Sequence, residues 1–155
     1  MNDEFFLKKA IEMASANVLA GGGPFGAVIV KDGTIIGSGA NQVTPTNDPT
    51  AHAEIIAIRN ACQNTGHFRL DGCVLYTSCE PCPMCLGAIY WSHISKIVFA
   101  AGKADAARAG FDDSFIYEQF ALGPLERSIP SKSIILKESS EPFQRWQNLE
   151  SRVEY

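Results

Sequence analysis

A chain of 155 residues is long enough for one hydrophobic core and short for two, and 46% hydrophobic against 19% charged residues excludes a disordered polymer. The formal net charge of −4 provides no basic footprint for a nucleic acid. No stretch approaches the roughly 20 apolar residues that span a bilayer, and Met1-Asn2-Asp3-Glu4 is acidic where a signal peptide would be basic. A single cytoplasmic domain over 1–155 is expected, with neither nucleic acid nor membrane as partner.

Asp3 is a candidate helix cap, and Phe6, Leu7, Ala10, Ile11, Ala14 and Leu19 recur at helical spacing. Gly21-Gly22-Gly23-Pro24 stops that helix. Phe25 to Val30 and Thr34 to Ala40 flank Lys31-Asp32-Gly33, a hairpin signal, and the Val28-Ile29-Val30 run suits a strand covered on both faces. Asn41 to Pro49 is a polar loop, either a solvated connection or a carrier of ligand contacts. Ala51 to Ala61 reads as a helix, Cys73 to Thr77 as a short buried strand, Pro81 to Trp91 as a helix opening on proline, and Lys96 to Ala101 as a strand. Beyond Gly102 the pattern weakens to a helical piece at Ala104 to Ala109, a strand at Ser133 to Lys137 and a helix at Pro142 to Ser151. This alternation predicts an α/β fold, with crossovers, a mixed sheet and helices on both faces.

Five cysteines form an odd set, and Cys79, Cys82 and Cys85 crowd into seven positions, which is poor disulfide spacing and good metal spacing. Cys62 and Cys73 read as small apolar core residues. Cys82 and Cys85 share a face of a helix near its start, where free N–H groups favour thiolates. His52 also stands at a helix start, with Glu54 two residues on. Catalytic zinc takes three protein ligands and leaves a position open, so His52, Cys82 and Cys85 make a ligand set and Glu54 remains to move protons. Two rivals use the same residues: a closed structural zinc recruiting Cys79, which leaves Glu54 without a task, and a redox Cys-x-x-Cys, which leaves His52 and Glu54 without one. His-x-Glu followed by Pro-Cys-x-x-Cys is the signature of the zinc nucleobase deaminases.

The stretches Phe25 to Val30, Thr50 to Glu54, Tyr76 to Cys85 and Gly87 to Trp91 resemble the cytidine deaminase superfamily, its purine-acting branch in particular. Ala109 to Tyr117, together with a terminal tyrosine, is similar to the bacterial guanine deaminases of the cytidine-deaminase type. The resemblance implies a three-layer α/β/α sandwich with a mixed central sheet and a Zn2+ cofactor. It also implies a homodimer whose carboxy-terminal segment, about 130–155, is exchanged between subunits. Guanine would be hydrolysed to xanthine and ammonia, with Asn41 hydrogen-bonding the base, Phe25 and Trp91 lining the pocket, and Asp113 and Tyr155 completing it. Asp112 competes with Asp113 for that role. The rival readings are a tRNA adenosine deaminase, which must bind a polyanion, a cytidine deaminase, and a zinc-stabilised binding module without catalysis. Glu118, Glu141, His67 and His93 read as surface or packing residues.

Overall fold

The first strand, β1 (Gly26–Lys31), is buried from Gly26 to Val30 because it lies inside the sheet rather than at its edge. It pairs antiparallel with β2 (Thr34–Ala40) on one side and with β3 (Val74–Cys79) on the other, and β3 pairs parallel with β4 (Lys96–Ala101). The order is β2-β1-β3-β4, the mixed sheet expected. The β1–β2 hairpin turns at Asp32 and Gly33, whose φ values of 49° and 79° are the two positive angles that a tight hairpin turn requires. The structure is a computed structural model and describes residues 2–155.

Alternate residues of β1 serve different layers. Ala27 and Ile29 pack with Leu75, with Ala53, Ala57 and Ala61 of α3 (Ala53–Thr65), and with Ile89 of α4 (Pro83–Trp91). Val28 and Val30 pack with Val74, Tyr76 and Phe6, the last from α1 (Asp3–Leu19). Helices therefore cover both faces, giving the three-layer α/β/α arrangement. Cys73 is fully buried in the first of these clusters and Cys62 packs against it, as small apolar residues do.

The approach of α3 to the sheet is set by glycine. A Cβ on Gly39 would stand 2.4 Å from the Ala53 carbonyl oxygen, and one on Gly37 would stand 2.6 Å from that of Ala57. Only hydrogen at these positions, facing a stripe of alanines, lets the helix lie this close.

Several boundaries differ from those expected. Asn2, not Asp3, caps α1, its Oδ1 accepting from the Phe5 N–H at 3.1 Å. The Asp3 carboxylate instead accepts from the Tyr76 hydroxyl at 2.7 Å and from Lys96 Nζ at 2.8 Å. The helices expected from Ala51 and Pro81 start at Ala53 and Pro83, because His52 and Cys82 hold extended backbone. For Cys82 the cause is the following proline, which disfavours helical geometry in the residue before it. The polar loop contains a short helix, α2 (Val43–Thr46), and α5 (Lys103–Arg108) follows β4.

The described residues up to Asp113 form one compact unit, and Ser114 to Tyr155 form another. The second unit holds α6 (Ser114–Ala121), which periodicity did not reveal, and α7 (Glu141–Asn148). No strand forms over 133–137, a correction to the expectation: strands exist by pairing, and every residue from 128 to 155 is exposed. No helix among the described residues is long and apolar enough to cross a membrane.

Candidate active site and metal centre

Two helix starts meet at one point. His52 is the residue that caps α3 and Cys82 the residue that caps α4, and neither side chain makes the usual capping hydrogen bond. Both are thereby left facing each other. His52 Nδ1 lies 3.5 Å from Cys82 Sγ and 3.5 Å from Cys85 Sγ. Zinc–sulfur and zinc–nitrogen bonds of about 2.3 and 2.0 Å in tetrahedral array place N and S about 3.5 Å apart. Both nitrogen–sulfur distances thus already match a tetrahedral zinc, all three donor atoms lie within 4.8 Å of one another, and Cys85 is fully buried.

The electrostatics of this triangle suit a cation. The Cys85 thiol and the His52 ring hydrogen-bond to Cys82 and hold its pKa well below the ordinary thiol range. The Cys85 thiol is pushed up by that same hydrogen bond, by burial and by the neighbouring Glu54. The His52 ring is raised chiefly by its contact with Cys82. Among the described residues the group able to hold a metal is His52, Cys82 and Cys85, so the fourth vertex has no protein ligand. Cys79 is buried elsewhere, its Sγ turned to the Gly102 carbonyl oxygen at 3.9 Å. Three donors with the fourth position left open is the pattern of a catalytic zinc site, whereas a closed structural site has a fourth protein ligand.

Glu54 stands in the first turn of α3 and is only 6% exposed. Its Oε2 accepts from Cys85 Sγ at 3.4 Å and its Oε1 from the Thr77 hydroxyl at 3.4 Å. Burial raises its pKa above the usual carboxylate range, against the pull of its own backbone N–H, so it binds a proton more readily than a surface glutamate.

Asn41 and Phe25 reach this end of the sheet together. The Asn41 N–H donates to the Phe25 carbonyl at 3.0 Å, just beyond the Gly26–Ala40 pair of the hairpin. Asn41 is 7% exposed, and its Oδ1 accepts from the Val43 N–H at 3.3 Å. Phe25 packs against the α3 side of the core and edge-on to Phe111, ring centres 5.0 Å apart. Asp113 is half-buried and its pKa is raised by burial, with Lys103 and Cys82 close enough to act on it, whereas Asp112 is exposed. Trp91 lies at the other end of α4 from Cys82 and is 66% exposed, so the structure does not bring it to the metal ligands. Tyr155 belongs to the second unit, edge-on to Trp146 at 6.4 Å. His67 stacks on Phe68 and His93 lies beside Arg69, both away from the ligands.

Periodicity and spacing did not single out Thr77, Gly37, Gly39 or Asn17. The pattern Gly37-x-Gly39 facing Ala53, Ala57 and Ala61 at four-residue intervals is the signal that a close helix-on-strand approach leaves in a sequence.

Comparison with known proteins agrees with this geometry. Residues 1–101 match the family model of the cytidine and deoxycytidylate deaminase zinc-binding region. Guanine deaminase of Bacillus subtilis is 58% identical over 156 residues, covering 100% of both chains. The X-ray structure of guanine deaminase from Bacillus subtilis superimposes with a TM-score of 0.98, covering 100% of this chain and 99% of that one. A tRNA-specific adenosine deaminase of Aquifex aeolicus is 46% identical over 101 residues, 65% of this chain and 67% of its own. An open His-Cys-Cys site with a buried glutamate, on this fold and at this level of identity, places the chain in the zinc-dependent cytidine and deoxycytidylate deaminase family.

Proposed function

We propose that this protein hydrolyses guanine to xanthine and ammonia. The observation that carries the reading is the placement of the Glu54 carboxylate 3.4 Å from Cys85 Sγ, beside a donor triangle of zinc dimensions. The choice of guanine is supported by whole-length likeness to a guanine deaminase, which takes in the stretch from Ala109 to Tyr117, whereas the likeness to the tRNA deaminase of Aquifex aeolicus covers 65% of this chain.

Zinc held by His52, Cys82 and Cys85 supplies the Lewis acidity that lowers the pKa of water to about 7. Glu54 accepts the water proton and passes it to the ring nitrogen beside C2 as the oxygen bonds to C2. The carbon becomes tetrahedral. Glu54 then holds the second proton and gives it to the exocyclic amine, the C2–N bond breaks with its electron pair leaving on nitrogen, and ammonia departs. A buried carboxylate with a raised proton affinity is suited to both transfers. Thr77 steadies the carboxylate through Oε1.

Asn41 presents its Nδ2 donor to the guanine carbonyl, since among the described residues no hydrogen bond uses that group. Asp113 accepts an N–H from the opposite edge of the base, and Phe25 forms one wall. The single domain acts as a homodimer in the cytoplasm, with the segment of about 130–155 exchanged between subunits. Supporting this are the exposed outer strand β4, where Phe99 is 45% exposed, and the exposed Tyr90 and Trp91. The segment itself carries Ile134, Ile135, Leu136, Phe143 and Trp146 in the open, more apolar surface than a lone soluble chain normally shows. Exchange would bring Tyr155 of one subunit over the pocket of the other and give Trp91 a cover.

The deciding assay is ammonia release from guanine, adenine, cytosine, their nucleosides and a tRNA anticodon stem, with and without chelator. Release from guanine that the chelator abolishes supports the proposal. A chelator-sensitive reaction on another substrate with guanine inert overturns the substrate and leaves the zinc chemistry standing.

A further inference from the structure

Asn17 is a buried amide on an otherwise apolar helix stripe. The buried residues of α1 are Phe6, Ala10, Ala14 and Asn17, and Asn17 is only 7% exposed. Such a group persists only where every polar atom is used. Here the two Nδ2 hydrogens go to the carbonyl oxygens of Gly23 and Asn41, each at 2.8 Å. Oδ1 accepts from Gln42 Nε2 at 3.0 Å. Gln42 in turn donates its backbone N–H to the Ala51 carbonyl at 2.9 Å, one residue before His52.

One side chain thus ties the turn before β1 to the backbone of Asn41 and, through Gln42, to the residue preceding a metal ligand. Gly23 completes the cradle from the opposite side. A Cβ there would meet Asn41 Oδ1 at 2.9 Å and Cγ at 3.0 Å, so the Asn41 side chain packs directly against the glycine. A Cβ on Gly22 would likewise meet Asn17 Nδ2 at 2.4 Å. The network touches neither Glu54 nor the thiolates directly. Its shared neighbour is Asn41, whose backbone carbonyl Asn17 holds and whose side chain Gly23 borders.

We infer that Asn17, with Gly23 as its counterpart, is a positioning residue that aims the Asn41 amide at the base and so sets affinity for the substrate. This rests on the reading of Asn41 as the group that binds guanine. Because the effect passes through Asn41 and not through the proton carrier, it falls on KM rather than on kcat.

The test is steady-state guanine deamination by Asn17→Ala, Asn17→Asp and Gly23→Ala, with zinc per chain and melting temperature measured on the same samples. Asn17→Asp keeps the shape and loses both donors. Gly23→Ala keeps Asn17 and displaces only the end of the Asn41 side chain, at a position without a positive φ, so it is expected to fold. The expected result is a KM raised about tenfold or more, with kcat changed less than about threefold and zinc retained. A KM within about twofold of wild type, or a loss confined to kcat, overturns the inference. If the Asn17 variants do not fold, Gly23→Ala decides alone, by the same criterion. If the wild type acts on a base other than guanine, the substrate reading fails by itself, and an unshifted KM for that base in these variants overturns the positioning role.

Discussion

Cys85 Sγ lies 3.4 Å from Glu54 Oε2 and 3.5 Å from His52 Nδ1, so one proposed metal ligand touches the proposed proton carrier and a second proposed ligand at once. The contact separates the two jobs by substitution. Glu54→Gln preserves size and leaves His52, Cys82 and Cys85 in place, so zinc content is expected to remain at the wild-type level. Turnover is expected to fall roughly 10^3-fold, within the range that a positioned acid–base group contributes. Metal analysis and ammonia release on one preparation check this, and a zinc-loaded, fully active variant would remove Glu54 from the mechanism.

Cysteine substitutions distinguish an open site from a closed one. Cys85→Ala removes a fully buried thiol, the proposed third ligand, and is expected to abolish both zinc binding and activity. Cys79→Ala, whose Sγ faces Gly102, is expected to keep zinc at one per chain. Loss of metal in the Cys79 variant would mean a fourth protein ligand and would end the hydrolytic reading.

The packing of α3 on β2 is a second point of sensitivity. A methyl on Gly39 would meet the Ala53 carbonyl oxygen, a backbone atom that cannot swing aside, at the very turn that carries His52 and Glu54. Gly39→Ala is expected to cost about 1–3 kcal/mol of stability, as overpacking does, and to lower zinc occupancy as well. Urea unfolding and metal content measure the two effects. A variant with unchanged stability would show that the helix can move away from the strand freely.

Which parts of this were legible beforehand follows from how local each signal is. The hairpin was readable because Asp32-Gly33 forces its own turn. The ligands were readable because Cys82 and Cys85 are three residues apart and His52 and Glu54 two apart, so short-range spacing encodes them. The bond from Asn17 to Asn41 joins residues 24 apart, and the fit of Gly39 to Ala53 requires knowing that the two elements touch. Neither leaves a periodic trace. The strand expected at 133–137 failed for a related reason: apolar composition states a willingness to pair, and pairing needs a neighbour. α6 was missed because it is short and follows the Gly110 turn, where no run of periodic residues precedes it.

The pair Asp3 and Tyr76 makes stability depend on pH at both extremes. Burial, and then the Asp3 carboxylate that its hydroxyl bonds to, push the Tyr76 phenol from the ordinary 10.0 up to about 12. The folded state therefore holds that proton more tightly than the unfolded chain. This contribution is full below pH 10.0 and is lost as pH rises to about 12. Asp3 has the opposite sign, since its hydrogen bonds with Lys96 and Tyr76 lower its pKa, so its contribution is present above 3.8 and lost as pH falls below that value. Tyr76→Phe is expected to flatten the alkaline loss when unfolding midpoints of the two proteins are subtracted. An identical alkaline profile would show that the phenol carries no linkage.

Truncation tests the proposed closure of the pocket. Val153 and Tyr155 are 60% and 73% exposed, so removing the residues after Arg152 deletes almost no buried surface within the chain. Melting temperature and zinc content should therefore stay close to wild type. If Tyr155 closes the pocket of a second subunit and excludes water there, guanine turnover should fall roughly tenfold or more. Mixing supplies the confirming arm. Heterodimers of the truncated chain with Glu54→Gln contain one site with an intact Glu54 and a full-length tail from its neighbour, so mixed samples should regain activity that neither parent has alone. Equal activity in the truncated protein counts against a closing tail. Absence of recovery in verified heterodimers counts against exchange between subunits.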